Sequence, residues 1–520
     1  MAESAQWDWD AIAIGSGLGA LGAAAALGRA GKRVLVLERM ASFGGAATVY
    51  RHGDLTAEAA LHETDGTTVN APRGVFARLG LLDAVEPVET DAFYAVRGGP
   101  LPGEIVVPHG LDAAEAAIAR ALPKSADALA ACFREFARLY RSFDDIEAMR
   151  WGDRKRLRRS FLSMLGSGRV FDLLGVSGQT LAGRFGAFFR NDELAKCALG
   201  GPLGYFDDDP AQLSYLLYAG VWARYCEAGS YYIKGGSAAL TKALLKQVTD
   251  AGGKTKHHAT AVEILTDRGG QAMGVAWKDG KGKRHQATAR VVLASPAPET
   301  LAGMLPEAQR AAFLKPYASF DRSISLFTVT MGLSRPAAET GVNAYSTFVY
   351  PDGMARFADF PAAAAVLGKA PAGRMPPYVL ADYGRIDAGL QKKGDPYLVT
   401  ITGVDRAAWW EGLSEAEEMN RRAAWTEALI ADVNRHFPGF EDAVQTAEMA
   451  TSRTMANRLG TPGGAVYGFR PTPDRLFGRP PSPATPVRGL YLASAWTAAG
   501  GYSGALNGGL MAADAVLKPR

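Results

Sequence analysis

The chain has 520 residues, 48% hydrophobic and 21% charged, with a formal net charge of +4 at pH 7. That length exceeds one compact core, so two or three structural units are expected. So small a net charge, with no aromatic-interleaved basic motif, argues against nucleic acid as a partner.

The N-terminus, "MAESAQWDWD", is acidic and lacks the basic start of a secretory signal. Residues 11–28 carry no charge and approach membrane-span length, but they are mostly Gly and Ala, so no transmembrane helix is expected. They belong to "DAIAIGSGLGALGAAAALGRAGKRVLVLE", which reads as strand (Ala11 to Ile14), turn, helix to about Ala30, and a buried parallel strand ending at Glu38. Gly31 is placed to end the helix. Gly15, Gly17 and Ala20 fill the G-x-G-x-x-G/A pattern, with Leu18 and Gly19 opening the helix between them. Gly15 permits the tight turn, Gly17 lets the backbone approach a pyrophosphate at the positive helix end, and Ala20 keeps helix and strand close. Glu38, 21 residues after Gly17, is placed to accept the hydroxyls of an adenosine ribose. The reading is a dinucleotide site; a structural glycine turn without ligand is the alternative.

The next stretch, "ERMASFGGAATVYRHGDLTAEAALHETDG", has a basic residue, Arg39, then Gly44–Gly45 and Ala46. Flavoproteins of the glutathione-reductase-like fold carry a similar continuation, and the resemblance makes FAD the expected cofactor. His62 and Glu63 end a segment expected to return to the flavin. One reading of His62 is a core histidine bonded to backbone; the other is a group that places substrate or moves a proton.

Cys132, Cys197 and Cys226 are far apart and form no CxxC pair, which points to reduced thiols in a cytoplasmic protein and away from a cysteine metal site. Around 150–175, Arg154, Lys155, Arg156, Arg158 and Arg159 flank Leu157, Phe161 and Leu165 at helical spacing. Basic residues beside apolar ones suit an interfacial helix on anionic lipid, against the plainer reading of a basic turn ahead of a core helix. "EIVVP" at 104–108, "ISLFTVTMGL" at 324–333 and "PYLVTITGV" at 396–404 read as strands of a sheet walling a pocket.

From "YYIKGGSAAL" onward, Gly235–Gly236 opens a helix with Leu240, Leu244, Leu245 and Val248 on one face. The strands "AVEILT", "AMGVAWKD" and "ATARVVLAS" follow, with a hairpin loop at Asp279–Gly280. Ser295 ends the last of them. The chain closes on "GLYLASAWTAAGGYSGALNGG": a strand, small residues including Ser494 and Ala495, then a helix expected to begin near Ser503 as N-cap, with Gly504 and Ala505 in its first turn. The positive end of such a helix favours nearby negative charge by about 0.3–1 kcal/mol.

Taken in order, these segments, with "NRLGTPGGAVYG" at 457–468, resemble the phytoene desaturase, carotenoid isomerase and retinol saturase group of flavoproteins. Glu58 and Ala60 stand where the group tends to have Asp and Gly, Ile233 replaces a proline, and Ser494 and Trp496 depart from the closing motif.

The resemblance implies an α/β fold: a glutathione-reductase-like Rossmann FAD-binding domain (1–80, 230–305 and 450–520) with an inserted α+β substrate domain (81–229 and 306–449). It also implies that the backbone at Val262 approaches the adenine. The expected activity is that of an FAD-dependent oxidoreductase acting on carbon–carbon bonds of a long lipophilic substrate such as a carotenoid or retinoid. Desaturation, saturation and isomerisation stay open, with hydride exchange at flavin N5 and His62, Glu63, Trp496 and Tyr502 on the substrate side. Tyr205, Tyr231, Tyr232 and Tyr467 are further candidates to line the pocket.

No second dinucleotide fingerprint follows a later strand, so electrons are expected to pass to oxygen, a quinone or a partner unless the reaction is redox-neutral. A fatty-acyl substrate, a flavin amine oxidase and a non-catalytic flavin or lipid carrier are the alternatives. The protein is expected in the cytoplasm, peripheral on the inner membrane face if the basic segment binds lipid. No metal ligands are expected; His109 and His436 stand alone in sequence, and His257–His258 reads as surface.

Overall fold

The computed structural model describes residues 7–65, 74–151, 162, 164–477 and 481–518. The first strand, Trp9–Ile14, is buried from Ala11 onward, as a continuous apolar run requires when both faces are covered. It lies parallel to Val34–Leu37 on one side and to Arg284–Ala294 on the other, with Ala13 opposite Val36 and Leu293. The crossover between the first two is the helix Leu18–Arg29. Gly31, at φ 75°, ends it, and the Lys32 amide reaches back to the Leu27 carbonyl at 3.0 Å.

These strands belong to a seven-stranded sheet in the order Thr260–Thr266, Ala272–Lys278, Arg284–Ala294, Trp9–Ile14, Val34–Leu37, Lys254–Lys256, with Leu490–Leu492 also paired to Arg284–Ala294. Arg284–Ala294 belongs to two structures at once. Its first half closes an antiparallel meander (Gly274 opposite Thr288), and its second half runs parallel to the opening strand. The expected hairpin loop is held by Asp279, whose carboxylate accepts from the Lys281 and Lys283 amides at 2.9 and 3.0 Å.

A second seven-stranded sheet has the order Val444–Ala450, Ser325–Leu333, Tyr397–Asp405, Tyr378–Asp382, Ser346–Tyr350, Tyr94–Gly98, Ile105–Val107. All pairs are antiparallel except Tyr94–Gly98 with Ser346–Tyr350. The runs at 104–108, 324–333 and 396–404 are all strands of this sheet. Period-2 alternation divides its faces. Phe327, Val329, Met331, Val399 and Ile401 join a core with Trp425, Leu429 and Val433 of the helix Glu415–His436. The opposite face presents Leu326, Thr328, Thr330, Thr400, Thr402 and Val404 toward the rest of the molecule.

Arg154, Lys155, Arg156, Leu157, Arg158, Arg159 and Phe161 lie outside the described residues. Beside them Leu162, Leu165, Phe171 and Leu174 are exposed, Phe171 at 71%. Among the described residues no helix is long and apolar enough to cross a membrane.

Candidate functional site

The turn after the first strand meets three other segments. A Cβ at Gly17 would stand 2.7 Å from Ser295 Oγ, and one at Gly45 would stand 3.3 Å from the Gly17 Cα. Gly17 and Gly44 form a parallel bridge. The Ser16 hydroxyl donates to Glu38 Oε2 at 2.6 Å and accepts from the Gly44 amide at 2.9 Å. Gly15, Gly17, Glu38, Gly44, Gly45 and Ser295 therefore share one crevice.

Val262 is the unpaired residue of a bulge, since Ala261 faces Trp277 while Glu263 faces Ala276. Its backbone polar groups lie outside the ladder, on a strand whose approach is tied to Glu38 and Met40 by the Ala259 and His258 amides. Arg39 points elsewhere: it is exposed, and its Nη2 donates to the Asn457 and Arg458 carbonyls at 2.6 and 2.7 Å, near the end of the helix Ser452–Leu459.

These surfaces fit a dinucleotide. The helix Leu18–Arg29 and the last helix, Gly501–Leu517, both start without a side-chain cap, leaving first-turn amides for an anionic ligand. The Ser494 hydroxyl beside them is buried without a partner.

The closing segment corrects several expectations. The last helix starts at Gly501, with Gly500 as N-cap, so Ser503 is inside it; its hydroxyl donates to Asp65 Oδ1 at 2.6 Å, and Asp65 pairs with Arg224 at 2.5 Å. Gly19 and Gly504 serve packing. A methyl on Gly19 would lie 2.7 Å from Ser494 Cα and overlap the Ala493 carbonyl, and one on Gly504 would overlap the Ala499 carbonyl. Leu18 and Ala20 are buried with Ala505 packed against the same core, while Ala46 and Ala495 offer their carbonyls to Tyr502 and Arg475. Trp496 is 3% exposed and meets Phe469 edge-on, ring centroids 4.8 Å apart, in the core beside Leu492 and Ala294. It is a packing residue. Tyr502 points instead toward the glycine loop, its hydroxyl 3.4 Å from the Ala46 carbonyl.

The segment that returns toward the centre is anchored by Glu58. The hairpin Val49–His52/Leu55–Glu58 delivers this buried carboxylate to the start of the helix Ser237–Asp250. There it accepts from the Ser237 amide (2.8 Å) and hydroxyl (2.6 Å), the Leu61 and Ala60 amides, and the Tyr232 hydroxyl (3.1 Å). Gly236, at φ 76°, leaves room for it: a Cβ there would be 2.8 Å from Glu58 Oε2. Burial pushes the Glu58 pKa up, and these hydrogen bonds pull it back.

Beyond this anchor the half-buried His62 and Glu63 reach a largely enclosed chamber. The His62 carbonyl accepts from the Tyr345 hydroxyl at 2.6 Å, its Nε2 is 3.4 Å from Thr402 Oγ1, and its ring centroid is 5.5 Å from that of Tyr205. Tyr205 and Thr402 also line a cavity walled by Leu326, Phe348, Val379 and Val404. His62 Nδ1, Glu63 Oε2 and the Tyr205 hydroxyl are buried without partners. Desolvation lowers the His62 pKa to about 4 and raises that of Glu63 to about 7. At neutral pH His62 is a neutral imidazole, and Glu63 stands between its protonated and ionised forms.

Of the other tyrosines, Tyr232 is committed to Glu58, the Tyr231 hydroxyl to the Ala228 carbonyl, and Tyr467 packs against the helical core. Sequence reasoning missed Glu58 as an anchor. It also missed Arg475, buried at 5% exposure, which bonds the Phe469, Ala495 and Ala498 carbonyls and braces the turn ahead of the last helix. Neither leaves a local signal, since Ser237 and Tyr232 for Glu58, and Ala495 and Ala498 for Arg475, are distant in sequence.

The family model described as flavin containing amine oxidoreductase matches residues 21–517. All-trans-retinol 13,14-reductase of Macaca fascicularis is 25% identical over 544 residues, spanning 98% of this chain and 85% of that protein. Phytoene desaturase (neurosporene-forming) of Rhodobacter capsulatus is 25% identical over 510 residues, spanning 94% and 90%. The crystal structure of an oxidoreductase from Methanosarcina mazei shares the fold, with a TM-score of 0.61 at 17% identity over 98% of this chain and 100% of that one.

Proposed function

The chain belongs to the family of flavin-containing amine oxidoreductases and is an FAD-dependent oxidoreductase, and on that footing we propose that it forms, removes or shifts carbon–carbon double bonds in a long lipophilic substrate such as a carotenoid or retinoid. The supporting observation is the cavity wall. Leu326, Phe348, Val379 and Val404 offer hydrocarbon, Thr402 and Tyr205 offer only neutral hydroxyls, and no carboxylate is among the described residues lining it. The carboxyl beside this cavity, Glu63, is pushed by desolvation toward its neutral form, which makes it a poor counter-charge for the ammonium group of an amine substrate. The names of the retinol reductase and phytoene desaturase relatives support the same reading.

FAD, when bound, supplies two-electron chemistry. Gly15, Gly17, Glu38, Gly44, Gly45, Ser295 and the backbone at Val262 hold the dinucleotide, and Ser494 with the first turn of the last helix faces its flavin end. The apolar wall excludes water and aligns the substrate chain. Neutral His62, with Thr402, fixes the orientation of the reacting segment, and Glu63 holds or releases a proton. Residues 81–229 and 306–449 form the substrate domain. The exposed Leu162, Leu165, Phe171 and Leu174 support contact with a membrane surface from which such a substrate is drawn. Electrons pass to oxygen or a quinone.

The test is anaerobic mixing of the holoprotein with polyene, unsaturated fatty-acyl and amine panels while the flavin absorbance is followed, with product identification by mass spectrometry. Bleaching by a polyene and a product differing by two hydrogens or by double-bond geometry is expected. Bleaching by amines alone would refute the proposal.

A further inference from the structure

Any exchange of a hydride at one carbon of a C–C pair must be balanced by a proton lost or gained at its neighbour, and a water-excluding chamber cannot draw that proton from bulk solvent. Glu63 is half-buried with its Oε2 buried and unpartnered at that chamber, and its contacts on the side away from the cavity lead outward. Thr64 bridges Tyr231 in an antiparallel pair, with amide–carbonyl distances of 2.8 and 3.0 Å, which sets Ser230 opposite Asp65 and diagonally across from Glu63 on the same face, within reach of a long side chain. From that diagonal position the Ser230 side chain pulls the Glu63 pKa down, against desolvation, the larger effect, which raises it. Ser230, itself fully buried, places its hydroxyl 3.0 Å from His109 Nε2. The Thr90 hydroxyl bridges the same two groups at 2.6 and 3.4 Å. On its other edge His109 Nδ1 is 3.6 Å from Glu89, and the side chains are 19% and 60% exposed.

We propose that Glu63, Ser230 and His109 form a proton relay between the buried chamber and solvent at Glu89. Each member suits its place. Glu63 takes or gives the proton at the substrate carbon. The Ser230 hydroxyl both donates and accepts. His109 can accept at one ring nitrogen while releasing at the other. In the forming direction the substrate loses a hydride to FAD and a proton to ionised Glu63, and the proton leaves by Ser230 and His109; in the reverse direction it enters by the same path.

The frame is rigid. Pro87–Glu89 pairs with Tyr231–Ile233, the Thr90 amide holds the Ser230 carbonyl, and the Gly110 amide holds the Cys226 carbonyl of the helix Tyr215–Ala228. Tyr205, Tyr225 and Tyr345 lie within electrostatic reach of Glu63, as Asp65 and Arg224 do of Tyr225. Glu89 and Asp91 face His109 and raise its pKa against burial, which lowers it.

The relay's role in catalysis rests on the proposed carbon–carbon chemistry; its existence does not, so the test uses no substrate. In the holoprotein at about pH 6, where Glu63 is largely protonated, the infrared carbonyl band of its carboxylic acid is assigned by its loss in E63Q. The shift of that band is then timed after rapid dilution into D2O. Exchange slower than wild type by about tenfold or more is expected in S230A and H109F, with imidazole restoring the rate in His109→Gly, as for general acid–base groups. Far-UV circular dichroism and flavin absorbance check that each variant is folded and loaded.

Equal exchange rates in wild type, S230A and H109F would overturn the proposal, as would the absence of a protonated Glu63 band. Slowed exchange together with no flavin bleaching by any polyene would leave the relay standing and remove the carbon–carbon reading.

Discussion

Glu58→Gln isolates what holds the returning segment in place. Glu58 is 3% exposed, has no cation paired with it among the described residues, and each oxygen accepts from more than one donor: Oε2 from the Ser237 amide and the Tyr232 hydroxyl, Oε1 from the Ser237 hydroxyl and the Ala60 and Leu61 amides. Glutamine keeps the shape but turns one oxygen into an NH2 group. If that group replaces Oε2, it faces the Ser237 N–H donor to donor. Only the tyrosine hydroxyl can reverse to accept.

A hydrogen bond to a charged group contributes about 1.5–3 kcal/mol, and a buried donor left unsatisfied costs about 1–3 kcal/mol. The cost of removing the charge from a buried site works in the opposite direction, since burial already raises the Glu58 pKa. The net expectation is a loss of about 2–3 kcal/mol, read as a lower urea midpoint at unchanged slope. Because the same carboxylate fixes the segment that carries His62 and Glu63, E58Q should also lower the rate of flavin bleaching by substrate. E58D, one methylene shorter, should lose reach to the helix start and be destabilised as well. E58Q within about 0.5 kcal/mol of wild type, the range of neutral surface changes, would refute the anchoring argument.

Gly19→Ala should destabilise by about 3 kcal/mol or more and release FAD on dialysis, because the added methyl meets backbone at Ala493 and Ser494 and no side chain can rotate away; a thermal melt with FAD fluorescence checks it. Trp496→Ala should cost about 3–5 kcal/mol by opening a core cavity, while Trp496→Phe keeps substrate preference unchanged if the ring only packs. The pH dependence of stability should differ for the two chamber groups. The folded pKa of His62, about 4, lies below its ordinary 6.5, so its neutral form is favoured and stability falls as pH drops from 6.5 through 4. That of Glu63, about 7, lies above 4.5, so its contribution is full below 4.5 and lost as pH rises through 7. Each window is worth up to about 3 kcal/mol, and melts across pH should lose the acid-side slope in H62Q and the alkaline-side slope in E63Q.

The Rossmann unit was legible because its constraints are local. A glycine pattern, an alanine helix, a stop at Gly31 and an acid at the end of the second strand all fall within residues 10–38. The three meander strands and the hairpin at Asp279 were legible for the same reason. The sequence placed His62 and Glu63 at the end of the returning segment, but their surroundings were not legible in it. The shifts toward 4 and 7 come from desolvation by groups such as Tyr205 and Thr402, which are far away in sequence. His109 looked ordinary because its partners, Ser230 and Thr90, reach it only through the pairing of 87–89 with 231–233. Trp496 and Ser503 were misplaced because a glycine-rich approach leaves the helix start ambiguous; the start lies at Gly501, which turns Ser503 inward to Asp65.

That shift changes what the closing glycines do. A Cβ on Gly508 would overlap the Ser494 carbonyl, and one on Gly509 would overlap the Gly19 carbonyl, so the last helix lies backbone-to-backbone on the first turn of the helix Leu18–Arg29. The touching point is Gly509, eight residues into a helix that begins at Gly501. At about 1.5 Å per residue the uncapped start of the last helix therefore lies about 12 Å along its own axis from this contact, which falls in the first turn of the other helix. Each positive end favours nearby negative charge by about 0.3–1 kcal/mol, and more when partly buried. The close packing thus sets two such ends along one crevice, the first beside the glycine turn that suits a pyrophosphate and the second beside Ser494 and Tyr502. A methyl at Gly509 would force the helices apart and disturb both ends together, so a residue that touches no ligand still sets the spacing of the dinucleotide site.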